Sequence, residues 1–411
     1  ASARMSLGDH AAAIPDWTEA IRLSPGNASS YLNRGVAYDS ANQPDNAIAD
    51  YTEAHRLNAK DLHPLFYRGI VYYSKKGLYD QAIDDFTRAL AIDPKKINVL
   101  INRGIAWREK GDPDRAIADF SEALRQGLVV GDVLKLESRE PEAVRHWEQV
   151  AKARYQRGNA YVMKKEFDLA LSDLNEAIRI NPRDDRAWTM RGGLFLARGE
   201  AQRAISDFNE AIRVNPLEAR AFVSRGGIFL YRGEFQKAIA DFTEGIRLDP
   251  NYAFAYFQRG FAYHALEEPD KAYADYTTSI QLDPHYITAY LNRGIILYTR
   301  RGESQPADAL KALYQAAEAG ITEACIRLCF VHHEGRLGLP ASPALALHWA
   351  AEAATLGSPF GCGMYGRLLV DRNPSMAISQ MRRSAMLGET FYVYDLARLL
   401  MTQGKRPNQL K

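Results

Sequence analysis

Residues 221–251 read AFVSRGGIFLYRGEFQKAIADFTEGIRLDPN. The stretch holds two helical patterns and leaves through Pro250, which cannot continue a helix. Variants of it recur along most of the chain. An Arg-Gly pair marks each copy: Arg34-Gly35, Arg68-Gly69, Arg103-Gly104, Arg157-Gly158, Arg191-Gly192, Arg225-Gly226, Arg259-Gly260 and Arg293-Gly294. The steps between the glycines are 34, 35, 54, 34, 34, 34 and 34 residues.

The rest of the pattern keeps the same register. An aromatic stands four before the glycine at Tyr31, Trp188, Phe222, Tyr256 and Tyr290. A large residue stands three after it, as at Tyr38, Trp107, Phe195, Phe229 and Tyr263. Twelve after it comes a small residue (Ala47, Ala116, Ala170, Ala204, Ala238, Ala272), and four further on a bulky one (Tyr51, Phe120, Leu174, Phe208, Phe242, Tyr276). Glycine and alanine let two helices approach closely, and bulky residues at helical spacing fill the interface. One such unit cannot bury its apolar face alone, so neighbours must stack.

A two-helix unit repeating every 34 residues, with this whole pattern recurring, closely resembles the tetratricopeptide repeat over residues 1–303. Trp17, Ala20 and Pro25 occupy second-helix positions, so the first repeat is expected to be truncated and to leave an exposed apolar edge. The 54-residue step holds an insertion at about 126–150. Its run LVVGDVLKL is apolar and β-branched and is expected to form an irregular cover, with a helix starting at Glu140-Pro141-Glu142. Partner-facing insertion and tolerated surface loop are weighed equally.

After Gly302 the pattern changes. The endings AAEAG, AATLG and SAMLG, at Gly320, Gly357 and Gly388, with the helical runs before the last two, resemble Sel-like repeats over 304–403. Residues 404–411 form a polar tail. Together the resemblances imply an all-α fold: a right-handed superhelix of αα-hairpins continued by Sel-like αα repeats.

Composition bounds the function. The chain of 411 residues carries 52 basic and 50 acidic side chains, net +2, which gives no whole-chain pull toward nucleic acid or a membrane surface. No run of 18 apolar residues is present to span a membrane. Ala1 begins no signal-peptide pattern; a removed signal would leave the same sequence, so the compartment stays open between cytoplasm, which is favoured, and export. Cys325, Cys329 and Cys362 are too few and too unevenly placed for a disulfide framework or a metal site and read as small buried residues. His332-His333-Glu334 has no third ligand at metal spacing and reads as a solvated turn. No nucleophile, phosphate-cradling or cofactor motif is present in usable context, so the expected class is non-catalytic, with no metal and no cofactor.

Eight aspartates recur as faithfully as the arginines: Asp16, Asp50, Asp85, Asp119, Asp173, Asp207, Asp241 and Asp275. Pairing each with the arginine of the following repeat uses all sixteen charges, whereas pairing within a repeat strands Asp16 and Arg293. The expectation is an inter-repeat ion ladder.

In the family the first helices line a concave groove, with exposed positions six and three before the pair glycine and one, four and five after it. The family's carboxylate clamp, which uses lysine and asparagine there, is not expected. The position three before the glycine holds no lysine, and Asn33, Asn102 and Asn292 are isolated. Lys152, Arg186 and Arg220 form a basic rim in three consecutive repeats. Gly193 and Gly227 replace side chains such as Val36, Ile70 or Phe261 and leave a hollow. Beside it stand Tyr231, Phe254, Phe257, Phe261 and His264, the last four on one helix face by their spacing. Extra aromatics beside a hollow and a basic rim point to a protein or peptide ligand of acidic character. The alternative is that the aromatics pack on one another or on the Sel-like segment. Self-assembly through the exposed ends, and nucleic-acid or small-ligand binding on the basic rim, are the other classes; the balanced charge disfavours nucleic acid.

Overall fold

The computed structural model describes residues 10–136, 140–299 and 306–403, and among them holds 22 α-helices and no strand. Two compact units divide the chain, Ala1–Pro216 and Leu217–Lys411.

The first unit opens with α1 (His10–Leu23), a second-type helix carrying Trp17 and Ala20. The expected truncated edge involves residues 1–9, outside the described residues. Five αα-hairpins follow: α2 (Ala28–Ser40) and α3 (Pro44–Leu57), α4 (His63–Lys75) and α5 (Tyr79–Ile92), α6 (Ile97–Glu109) and α7 (Pro113–Leu136), α8 (Glu140–Met163) and α9 (Phe167–Ile180), α10 (Asp185–Ala197) and α11 (Ala201–Val214). The second unit holds α12 (Ala219–Tyr231), α13 (Phe235–Leu248), α14 (Ala253–Ala265), α15 (Pro269–Leu282), α16 (Ile287–Thr299), α17 (Pro306–Glu318), α18 (Thr322–Glu334), α19 (Pro343–Thr355), α20 (Pro359–Leu369), α21 (Pro374–Met386) and α22 (Val393–Gln403). Within each unit helices pack chiefly on their sequence neighbours, and first helices of successive repeats also touch, as α4 does α6 and α12 does α14.

The pair glycine is where the two helices of a repeat meet. A Cβ on Gly226 would lie 2.9 Å from the Phe242 ring, and one on Gly104 2.6 Å from that of Phe120. Phe86, Phe120, Phe208, Phe242, Tyr51 and Tyr276 are fully buried in this role. Each such burial is worth roughly 1.5–3 kcal/mol, so the aromatic seam is a main source of cohesion.

The ion ladder is overturned. Seven of the eight guanidiniums are held by the aspartate of their own repeat, through both Nε and Nη2: Arg34 by Asp50 (2.7 and 2.7 Å), Arg68 by Asp85 (2.7 and 2.6 Å), Arg259 by Asp275 (2.8 and 2.8 Å). Arg103, Arg157, Arg191 and Arg225 repeat the arrangement. The cause is the glycine contact: a Cβ on Gly226 would be 3.1 Å from the Asp241 Cβ, so the aspartate emerges beside the adjacent arginine. The link between repeats exists, but a neutral side chain carries it. Nη1 donates to Thr18 from Arg34, Thr52 from Arg68, Thr87 from Arg103, Ser121 from Arg157, Asn175 from Arg191 and Thr243 from Arg259. These acceptors all stand two residues after the previous repeat's aspartate. Aromatics three before and four after the arginine flank its guanidinium, as Tyr256 and Tyr263 do Arg259 at 5.6 and 5.9 Å.

The eighth arginine lacks this partner. α17 packs on α16 as a second helix, and Ala312 stands where the aspartate belongs, its Cβ 3.3 Å from a Cβ built on Gly294. Arg293 Nε is buried without a hydrogen-bond partner among the described residues.

The insertion is helical, not irregular: α7 and α8 are each 24 residues long, and α8 starts at the expected Glu140. LVVGDVLKL forms the end of α7, which packs along α8, and Leu128, Val129 and Val130 stay exposed. The turns inside repeats need one left-handed residue. Glycine supplies it at Gly233 (φ 73°), while Lys165 (φ 61°) and Glu267 (φ 59°) adopt it at a cost.

All three cysteines are buried and free, and burial pushes the Cys329 thiol up to about 12. The solvated-turn expectation for residues 332–334 fails: His332 lies inside α18, 2% exposed, with Nε2 2.7 Å from the Tyr314 hydroxyl. Its helix continues one turn further than the polar sequence suggested and carries the ring inward. Among the described residues no group of acids, histidines or cysteines is placed to hold a metal, and no helix is long and apolar enough to cross a membrane.

Candidate interaction site

Ten residues were singled out by the sequence, and they fall in both units. Lys152 on α8, with Arg186 and Gly193 on α10, lie in the first. Arg220, Gly227 and Tyr231 on α12, with Phe254, Phe257, Phe261 and His264 on α14, lie in the second.

In the first unit the two cations are unequal. Arg186 is exposed, but Asp184, the residue that begins its helix, takes up its charge: Nε donates to Oδ1 at 3.1 Å and Nη2 to Oδ2 at 3.3 Å. Its guanidinium also covers the Tyr155 ring at 5.2 Å. Lys152 is half-buried with no ion pair among the described residues; burial, with the nearby Arg186 charge, holds its pKa below the ordinary lysine value. A partly desolvated ammonium of this kind gains from an acidic group brought to it. Gly193 is exposed with no atom within 4 Å of where its Cβ would be, and Leu196, nearly one turn on, is exposed beside it. Asp184 and Leu196 were missed. Asp184 had a signal in its position two before Arg186 at a helix start.

In the second unit α12 and α14 pack side by side. Gly227 again has nothing within 4 Å of a Cβ, in contrast to the neighbouring Gly226. Tyr231 is 93% exposed, Phe254 41% and Phe261 46%. Arg220 is exposed with no ion pair among the described residues and lies close enough to Tyr252 to act on its hydroxyl. His264 is half-buried.

Phe257 departs from the expectation. It is buried, with its ring 5.7 Å from Tyr276 and 4.8 Å edge-on from Tyr286. Most of the position three before the glycine behaves similarly: Phe66, Ile101, Val223 and Leu291 are buried too, while Leu32, Tyr155 and Thr189 are half-buried. A side chain there points into the seam between its own second helix and the next repeat, not outward. Asn102 is buried as well, its amide donating to the Asn98 carbonyl at 2.6 Å.

Family models match both repeat types. Tetratricopeptide-repeat models match residues 1–61, 37–97, 67–128, 151–184 and 253–286, and a further TPR-repeat model matches 226–267. A Sel1-repeat model matches 322–358 and 361–389. No curated protein matches the sequence significantly. Among solved structures, a protective antigen of uropathogenic Escherichia coli strains displaying an SLR fold is 15% identical, covers 97% of this chain and 92% of its own, and superposes with a TM-score of 0.53. A tetratricopeptide repeat protein from Parabacteroides merdae is 19% identical over 66% of this chain and 98% of its own, with a TM-score of 0.48. Yeast Tom70 is 15% identical over 91% and 94%, with a TM-score of 0.39. The first of these shares the fold at an identity that speaks for the fold alone. With the repeat register, the glycine seams and the family models in agreement, the chain is a tetratricopeptide-repeat protein that carries Sel1 repeats in its C-terminal part.

Proposed function

We propose that this protein is a non-catalytic scaffold that holds a protein or peptide segment against the faces of its first helices. The observation that carries this is the exposure of Tyr231, Phe254 and Phe261 on the touching helices α12 and α14, with Gly227 bare on the same helix as Tyr231, while the aromatic seam of the repeats is fully buried. Aromatic side chains displayed on a rigid support lose little entropy on binding, which is why they serve as anchors. Arg220, in the same unit as these aromatics, favours acidic groups in the ligand, and Lys152 would favour them in a segment held by the first unit. Arg186 adds less, since Asp184 already balances it.

The test is the pair Tyr231→Ala and Phe261→Ala, followed by affinity capture and mass spectrometry. Partners captured by the wild type should be lost while circular dichroism stays unchanged. Phe257 is left intact because it belongs to the core. An unchanged capture profile would argue against this surface.

Self-association is the second reading, favoured by apolar exposure in the last helices: Met386 at 86%, Tyr394 at 76% and Met401 at 71%. A mass that stays monomeric at every concentration in sedimentation would dismiss it.

A further inference from the structure

The insertion builds a cleft of its own, away from the faces considered above. Ordinary first helices here are 13 residues long, and α8 is 24. Its partner α9 keeps the ordinary 14 residues and stops at Ile180. α8 therefore overhangs the end of α9 by some ten residues, roughly 15 Å at the α-helical rise. The underside of the overhang is one helix face, Val144, Trp147 and Glu148. Opposite it lie Arg179, Ile180 and Asn181, and between them is a cavity of about 340 Å³.

This overhang is built, not loose. A Cβ on Gly127 would come within 2.8 Å of Val150, so α7 and α8 are in close contact at its root. His146 Nε2 donates to the Gly127 carbonyl at 2.7 Å. Trp147 and Ile180 pack against the main core of the first unit. Val144 nevertheless remains 55% exposed. A longer α9 would cover this face, and α9 ends before reaching it.

A second cleft, of about 700 Å³, shares Asn181 and continues along the same edge past Pro182, Arg183, Arg213 and Val214. The charges along the edge are unevenly matched. Arg179 is paired with Glu176 and Arg213 with Glu210. Arg183 and Arg145 are exposed and make no ion pair among the described residues. Glu148 is the acid in the lining. The edge thus offers a recess with an apolar wall of Val144, Trp147 and Ile180, followed by spare positive charge.

We propose that the overhang is a second peptide-binding site, which takes an acidic segment carrying one large apolar side chain. The apolar side chain enters under Val144 and Trp147 against Ile180, and acidic residues beside it meet Arg183 and the Arg213 edge. Charge complementarity selects this ligand, because a basic segment would face uncompensated arginines.

The experiment uses the full chain and short fluorescein-labelled peptides in anisotropy titrations. One peptide has a central Trp flanked by Asp and Glu; controls replace the Trp with Ala or the acids with Lys. The acidic Trp peptide should bind most tightly and weaken as salt is raised. Val144→Asp and Arg183→Glu should each weaken it by about tenfold or more, as expected for loss of an anchor or a facing charge. Both positions are exposed, and unchanged circular dichroism verifies the fold. The pair Tyr231→Ala and Phe261→Ala should leave this binding intact. Equal affinity for all three peptides, indifference to both overhang substitutions, or loss of binding only in the Tyr231/Phe261 variant would each overturn the proposal.

Discussion

Removing Asp85 should cost about 3 kcal/mol locally, most of it through Arg68, since the more exposed Arg88 reaches Asp85 only at 3.8 Å. Asp85 is 2% exposed and accepts two hydrogen bonds from Arg68, whose side chain is 11% exposed. That guanidinium cannot shed its charge: its pKa lies above even the ordinary arginine value, chiefly because of its bond to Asp85. Asp85→Ala therefore strands a desolvated cation, for which a typical cost is about 3–5 kcal/mol. The lower end applies, because Nη1 keeps its 2.7 Å bond to Thr52. Replacing both partners, Arg68→Met with Asp85→Leu, should recover most of the loss, since well-packed apolar pairs substitute for buried ion pairs. Double-mutant cycles set the hierarchy. Arg68 with Asp85 should couple by about 2–3 kcal/mol, Arg68 with Thr52 by about 0.5–1 kcal/mol as a single hydrogen bond, and Arg68 with Asp50 by less than about 0.5 kcal/mol. Repeat arrays unfold in segments, so native-state hydrogen exchange of the α4 and α5 amides is the suitable readout. A coupling of Arg68 to Asp50 as large as that to Asp85 would refute the intra-repeat pairing.

Three further outcomes follow from the same packing. Ala312→Asp should stabilise α16 and α17 by about 1–2 kcal/mol by giving Arg293 the charged partner it lacks; no gain in hydrogen-exchange protection there would show that Arg293 is satisfied otherwise. Gly226→Ala should destabilise by about 1–3 kcal/mol, because its Cβ meets the Phe242 ring at 2.9 Å. The adjacent Gly227→Ala meets nothing and should be neutral or gain up to about 1 kcal/mol of helix propensity, while weakening ligand capture; thermal melts of the two variants separate the roles. Burial holds the His332 pKa below its ordinary value, so the neutral ring is the folded form. Below about pH 6.5 the unfolded chain takes up a proton that the folded chain resists, and stability should fall with pH by at most about 1.4 kcal/mol per unit. His332→Gln should remove that part of the slope, as measured by melting between neutral and mildly acidic pH.

The architecture was legible because a repeat states its packing many times over. One Arg-Gly pair is weak evidence; eight in register, most of them with an alanine and a bulky residue downstream, leave little freedom for the helix crossing. What counting could not supply was the partner of each charge. Matching sixteen residues without remainder favoured the inter-repeat ladder, yet stoichiometry carries no direction. The glycine contact decides direction by bringing Asp241 beside Gly226, and hence within reach of Arg225. The remainder that counting tried to avoid is real at one end, where Ala312 replaces an aspartate. A trace of the true link was in the sequence: a Ser, Thr or Asn stands two after every aspartate from Asp16 to Asp275.

The candidate site was legible in a different way, through departures from the repeat rather than through the repeat itself. Gly226 and Gly227 are chemically identical neighbours, and only the register separates the one that cannot accept a methyl group from the one facing open space. The same logic picked out Tyr231, Phe254 and Phe261 but failed at Phe257, because a position assumed to face outward is a core position in this chain. Helical spacing puts residues on one face to within a broad arc, and whether the arc's edge is covered depends on the next repeat. Tyr286, approaching from the turn before α16, covers it here. The overhang was harder to see, since its apolar face is created by the difference in length between α8 and α9. Neither helix is unusual in composition. An insertion that lengthens one helix of a packed pair and leaves the other unchanged necessarily exposes a face with no internal partner. At this edge that face has Trp147 at its base and, beside it, arginine with no ion pair among the described residues.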